Sequence, residues 1–258
     1  YRNYLFESYI KVVDRYQPKV IVFENVIGML SAKPKDRVVT ELIREEFDRH
    51  GYKIIFDLKT HALLDLSRFG VPQARKRVIV VGIRHDLVKD SESVLQKFYK
   101  ENLARFHSKA KTVEEAIGDL PKLFPVKEYR SNNKKYSHTL SEIQINGHVP
   151  RYHNATDIET FRMLTEDIEK ERFDFSTTDA LKRLYTQRTG KTSSVHKYHV
   201  LKKSQPSNTI TAHLQKDGLR HIHYDSSQAR SITVREAARL QTFDDDFEFL
   251  GSSGSSYK

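Results

Sequence analysis

Residues 19–30 read KVIVFENVIGML, and residues 69–82 read FGVPQARKRVIVVG. In the first stretch the apolar run 20–23 has the composition of a strand buried on both faces, and it ends abruptly in Glu24 and Asn25. An open α/β sheet presents its ligand-facing residues at the carboxyl edge of its strands, which is where these two polar groups fall. In the second stretch Gln73, Arg75 and Arg77 alternate at period two ahead of the apolar run 78–81. That spacing points them to one face of a strand as it enters the sheet. One carboxylic acid and two guanidinium groups at strand mouths make a pocket for a flat polar ring. The plainer readings are a strand-end carboxylate paired with an arginine, and a solvated basic edge.

Outward from these strands, the spacing predicts a helix over residues 2–17, with Leu5, Tyr9, Val12, Val13 and Tyr16 on one face and Pro18 ending it. A second helix runs from an Asp36 cap to His50 on the stripe Val39, Leu42, Ile43 and Phe47, and Gly51 suits the left-handed residue after its end. Residues 52–58 and 78–83 read as strands. Helix, strand, helix, strand, strand is half of a doubly wound α/β sheet.

Lys and Arg number 44 against 34 Asp and Glu, a net charge of +10 that suits a polyanionic partner. With no cysteine, disulfides and thiolate zinc sites are excluded. No apolar run approaches the roughly 20 residues of a membrane span, so a cytoplasmic protein is expected. Residues 100–205 lose long-range periodicity, and residues 181–216 hold eight Lys or Arg with no Asp or Glu. Arg188, Lys191 and Lys197, with Tyr185, Tyr198 and His199 interleaved, fit a surface that reads a nucleic-acid groove; the alternative is a solvated charged face. Residues 157–168 form a helix carrying Phe161, Leu164 and Ile168 inward. A short strand spans 209–211, with Thr209 and Thr211 among the nucleic-acid candidates. Thr233 and Glu236 make a capping box for a helix through Gln241, in which Arg235 either braces the recognition segment or holds a phosphate. Residues 251–255 read as a flexible loop. His221 and His223 share a strand face, and a metal site there has no third ligand.

Five segments together resemble the DNA cytosine-5 methyltransferases: RNYLF at residues 2–6, FENV at 23–26, FGVPQARKR at 69–77, TVEEAIGDLP at 112–121, and PSNTIT at 206–211 with SITVREAARLQTF at 231–243. They stand in the family's order. The resemblance implies the second half of a Rossmann-like, S-adenosylmethionine-dependent methyltransferase sheet plus a smaller, irregular target-recognition domain. The implied divisions are residues 1–99 for the partial catalytic domain, 100–230 for target recognition, and 231–258 for a helix and tail returning toward the catalytic domain.

By that resemblance Glu24 takes N3 of a cytosine extruded from the duplex and Arg77 takes its O2, while Arg75 and Gln73 fix the carboxyl and neighbouring backbone. Leu5 belongs to the cofactor pocket, and Arg235, Arg188, Lys191, Lys197, Thr209 and Thr211 face double-stranded DNA. The implied enzyme is a bacterial, nucleoid-associated methyltransferase of the restriction-modification type; the alternative is a non-catalytic DNA-binding accessory subunit. The family's cysteine nucleophile and its glycine-rich cofactor turn stand upstream of RNYLF, and this chain contains neither. Activity is therefore expected to need an upstream methyltransferase segment or partner subunit.

Overall fold

The computed structural model describes residues 3–33, 36–131, 134–211, 214–251 and 257, with side chains from Phe6 onward. It divides into two compact units: residues 1–70 with 75–109, and residues 71–74 with 110–258.

In the first unit α1 (Asn3–Tyr16) turns Ile10 and Val13 inward, three residues apart on one face. β1 (Val20–Val26) follows, then α2 (Val39–Arg49), which buries Ile43 and Phe47. The cap of α2 is Val38, with no side-chain hydrogen bond; Asp36, placed at the cap by the sequence, sits two residues earlier at φ +63°. β2 (Tyr52–Ile54) is shorter than the strand read over 52–58. The Asp57 side chain accepts a hydrogen bond from the Thr60 amide and so opens α3 (Leu58–His61). β3 (Leu63–Asp65), β4 (Lys76–Arg84) and α4 (Ser91–Lys97), the last capped by Asp90, complete the unit.

β4 is the hub of the sheet, with β1 on one side and both β2 and β3 on the other, and every pairing is antiparallel. Had β4 run parallel to β1, the exit of one and the entry of the other would lie about 20 Å apart, at opposite edges. Antiparallel pairing brings them together: Val26 stands opposite Arg77, and Glu24 opposite Ile79. β2 takes residues 82–84 of β4 and β3 takes residues 76–78, so on the edge away from β1 the backbone of 79–81 has no strand beside it. Ala62 fills part of that gap by accepting from the Ile79 amide at 2.8 Å. The Tyr99 hydroxyl fills the rest, accepting from the Val81 amide at 2.8 Å and donating to the Ile79 carbonyl at 2.7 Å.

One face of this sheet is covered. Ile21, Val78 and Val80 are buried there, and Phe23 packs with Phe6, Tyr9 and Phe47 at ring separations of 5.5–6.3 Å. The other face of β1 is open: Val20, Val22 and Val26 are 51%, 59% and 52% exposed. The apolar run therefore does not mark a strand buried on both faces among the described residues, although Val81 of β4, beside Val22 on that face, is buried.

In the second unit the Thr112–Glu115 capping box opens α5 (Val113–Ile117). β5 (Pro125–Ser131) and β6 (Lys134–His138) form an antiparallel hairpin in the stretch read as irregular. α6 (Ala155–Glu169) starts one turn-half before its predicted residue, because Asn154 accepts from the Asp157 amide and sets the cap. α7 (Thr178–Thr189) lies between a Thr177 cap and the left-handed Gly190. α8 (Leu214–Asp217) is short, and α9 (Val234–Arg239) begins at the Thr233–Glu236 capping box. Ala237 and Leu240 share a core with Val113, Ile117, Leu201 and Ile232, so the 231–258 segment is part of this unit rather than a third division. No strand forms at 209–211; the pairing there is an isolated parallel bridge between Ser207 and Gln73. The loop read at 251–255 falls almost wholly outside the described residues.

Candidate functional site

The register of β1 against β4 decides the geometry. Residues facing each other across a sheet share a side, so Val20, Val22, Glu24 and Val26 lie on the same face as Ile83, Val81, Ile79 and Arg77. Glu24 is thus the diagonal neighbour of Arg77, within reach of long side chains. Arg77 Nε stands 2.9 Å from Glu24 Oε1. The pair is close but not in line, since Arg77 Nε makes no well-formed hydrogen bond; its Nη1 donates to the Lys76 carbonyl at 2.8 Å. The guanidinium is mostly covered, at 15% exposed, and the carboxylate is 53% exposed. A fixed cation therefore sits beside an acid with a free oxygen edge.

Arg75 is half-buried beside the pair. Desolvation lowers its pKa, the Arg77 charge lowers it further, and Glu24 opposes both. A guanidinium so placed keeps its charge, and Arg75 lies within the field of both Glu24 and Arg77. Gln73 belongs to the second unit. It is fully buried there, where its amide donates to the Leu240 carbonyl at 3.3 Å and its Oε1 has no partner.

The nucleic-acid candidates separate. Arg235 is fully buried, and its guanidinium donates to the carbonyls of Asn146, Asp244 and Phe247 at 2.8, 3.0 and 2.6 Å. Each of its three nitrogens donates to backbone, so it braces residues 146 and 244–247, and its full burial keeps it from a phosphate. Arg188 pairs with Glu159 at 3.2 Å. Thr209 donates to the Ala74 carbonyl and Thr211 to Asp217. Lys191 is exposed and Lys197 half-buried, neither in an ion pair among the described residues. The side chain of Leu5 lies outside the described residues.

His221 and His223 are buried, and His223 Nδ1 accepts from the Asp225 amide at 3.1 Å. Among the described residues no group of three or more His, Cys, Asp or Glu is placed to hold a metal. No helix among them is long and apolar enough to cross a membrane.

Sequence reasoning missed the polar network that organises the second unit. Arg230 and Glu236, each 1% exposed, form a two-pronged ion pair at 2.6 and 2.7 Å. Gln228 accepts from Arg230, Thr233 donates its amide to Glu236, and His153 accepts from the Ser231 amide. The signal was Glu236 itself, which as part of a capping box already had to point back toward residue 233.

A profile of the family described as C-5 cytosine-specific DNA methylase matches residues 1–258. The chain is 32% identical over 277 residues to the type II methyltransferase M.Bpa9945I of Bacillus paralicheniformis, covering 99% of this chain and 59% of that protein. It is 29% identical to the type II methyltransferase M.DdeI of Desulfomicrobium norvegicum, with 97% of this chain and again 59% of the relative covered. The chain thus spans about three fifths of the length of these relatives. A crystal structure of a DNA modification methyltransferase encoded within an E. coli prophage superposes with a TM-score of 0.60 at 19% identity, over 99% of this chain and 68% of that one, which establishes the shared Rossmann-like fold. This chain belongs to the C-5 cytosine-specific DNA methylase family.

Proposed function

We propose that this chain is the downstream part of a DNA (cytosine-5-)-methyltransferase of the modification type, completed by an upstream segment or a partner subunit. The observation that supports it is the Glu24–Arg77 pair on one open sheet face, 2.9 Å apart with carboxylate capacity to spare. Carbon 6 of cytosine accepts a nucleophile only when negative charge can develop at N3 and O2. A carboxylic acid against N3 supplies a proton or a strong hydrogen bond, and a guanidinium at O2 stabilises the charge. Glu24 and Arg77 take those two roles, and Arg75 holds the carboxylate in place through its charge. The base must leave the helix to reach them, at a cost of a few kcal/mol.

S-adenosylmethionine, the family's methyl donor, finds no fitting site among the described residues. No two of the chain's glycines stand in a G-x-G pair. At Gly82, Gly118 and Gly218 an added side chain would collide with Ile21, Glu114 and Arg151, neighbours in the protein's own packing rather than a ligand cradle. The completing segment supplies the cofactor site and the nucleophile, and the open edge and face of β1 offer it a place to pair.

The test is to supply that segment and measure methyl transfer to DNA. Glu24→Gln lowers the rate by about 10²–10⁴, and Arg77→Ala by about 10²–10³. If no transfer appears with the segment present, and Glu24→Gln binds DNA as the parent does, the chain is the non-catalytic accessory instead.

A further inference from the structure

The second unit carries a surface that none of the nucleic-acid candidates above includes. β5 and β6 project as a two-stranded ribbon whose residues 126–131, 134 and 135 are all exposed. Its root is fixed: Ser137 and His138 are buried, and Thr139 and Phe124 exchange hydrogen bonds across the base at 2.8 and 2.9 Å. Tyr129 and Tyr136 stand opposite each other and stack at 5.2 Å with their planes 16° apart, which stiffens the ribbon.

The ribbon holds four cations, Lys127, Arg130, Lys134 and Lys135, against the single acid Glu128. Lys135 pairs with Glu128 at 3.0 Å, and Tyr152 also donates to that carboxylate, so this side ties the ribbon to the segment behind it. Lys127, Arg130 and Lys134 have no ion-pair partner among the described residues. Behind Lys134 lies a cleft of about 460 Å³ lined by Lys135, Tyr136, Arg151, Tyr152 and Tyr257. On α7, by comparison, Arg188 is paired with Glu159.

We propose that the β5–β6 ribbon is the element with which this unit enters the major groove of duplex DNA, Lys127, Arg130 and Lys134 meeting phosphates and base edges. Two strands about 4.8 Å apart, with their side chains, fit a groove about 12 Å wide and are too broad for a minor groove of about 6 Å. The five residues of β6 extend about 17 Å, enough to follow roughly half a turn of the helix. Three unpaired cations along that length supply counterion release, and the stacked tyrosines hold them at fixed spacing. The proposal rests on the reading above only in taking DNA as the substrate.

The test titrates the full chain against a labelled mixed-sequence DNA duplex of about 30 base pairs over a range of salt. It compares the parent, the variant Lys127→Gln/Arg130→Gln/Lys134→Gln, and the first-unit surface variant Lys89→Gln/Lys97→Gln/Lys100→Gln. All six side chains lie on the surface or half-buried, and thermal melts within a few degrees of the parent confirm folding. The slope of log affinity against log salt shrinks by about three in the ribbon variant and stays at the parent value in the other. A parent-like slope in the ribbon variant overturns the proposal while leaving the DNA reading intact. A parent that binds no DNA overturns both. An RNA duplex of equal length is the third arm, because its major groove is too deep and narrow for side chains to read. Tighter RNA than DNA binding that depends on the three cations also overturns the proposal.

Discussion

Each unit of the molecule contains an arginine–glutamate pair, and the two differ in almost every respect. Arg230 and Glu236 meet edge to edge in the second unit, both 1% exposed, with Gln228, Thr233 and the Ser231 carbonyl taking up what bonding capacity remains. Glu24 and Arg77 meet at one oxygen, out of line, with the carboxylate 53% exposed. A pair whose donors and acceptors are all spent can only hold structure. A pair with an oxygen edge to spare can take a ligand, and gives up little stability by doing so.

The sharpest break between them is in stability. Glu236→Ala leaves Arg230 buried without a counter-charge, and the cost expected is about 3–5 kcal/mol. Glu24→Ala removes a half-exposed partner, and the change expected is within about 0.5 kcal/mol. Urea midpoints of the two variants measure the difference directly. Equal losses would mean that the Glu24–Arg77 pair is as structural as its counterpart, and the catalytic reading would lose its physical basis.

Acid sharpens the contrast further. Burial alone would push the Glu236 carboxyl up, but the Arg230 charge and its hydrogen bonds overcome that and hold it well below the usual range. Burial pushes His153 and His223 down to about 3. For these depressed groups the stability contribution is complete above the unfolded pKa and is lost as pH falls toward the folded one. The histidines act first, from about pH 6.5 downward, at about 1.4 kcal/mol per pH unit each; the Glu236 contribution begins to fall only below about pH 4.5. The buried histidines of the described residues all belong to the second unit. Amides of α6 should therefore lose hydrogen-exchange protection between pH 6.5 and 4.5, after correction for intrinsic rates, ahead of those in α1 and β4. Loss in the opposite order would show that the histidine cluster is solvated.

What could be read from residue order follows the same division. The open pair was legible because its members flank apolar runs, and alternation at period two fixes a face whatever the neighbouring strand does. The direction of β4 was not legible. Nothing in residues 69–82 distinguishes a parallel from an antiparallel neighbour, and the apolar run of β1 suggested two covered faces where the chain covers one. Capping boxes at Thr112 and Thr233 needed only local spacing, and the second was read correctly. The β5–β6 ribbon was missed because its strands are polar on both faces, which removes the alternation that marks a half-buried strand. Arg235 misled for a related reason: charge suggests a ligand, and only the fold reveals three carbonyls waiting for it.

The first unit has one buried polar device of its own, and it yields the smallest effect. Tyr99 is 7% exposed and its hydroxyl, its pKa pushed up to about 12 by burial, stays neutral at working pH. It stands where β2 and β3 leave one edge of the middle of β4 unpaired, and it serves as a substitute strand for one donor and one acceptor. Tyr99→Phe keeps the ring and leaves the Val81 amide and the Ile79 carbonyl without partners, at an expected cost of about 1–3 kcal/mol. Ile79 stands opposite Glu24 and two residues from Arg77, so a change at this point of β4 also tests whether the open pair depends on the hub. A lower urea midpoint with an unchanged m-value, and unchanged methyl transfer in the completed enzyme, is the result expected. An unaltered midpoint would mean that water replaces the hydroxyl, and that the centre of β4 is wetter than the network around Glu236.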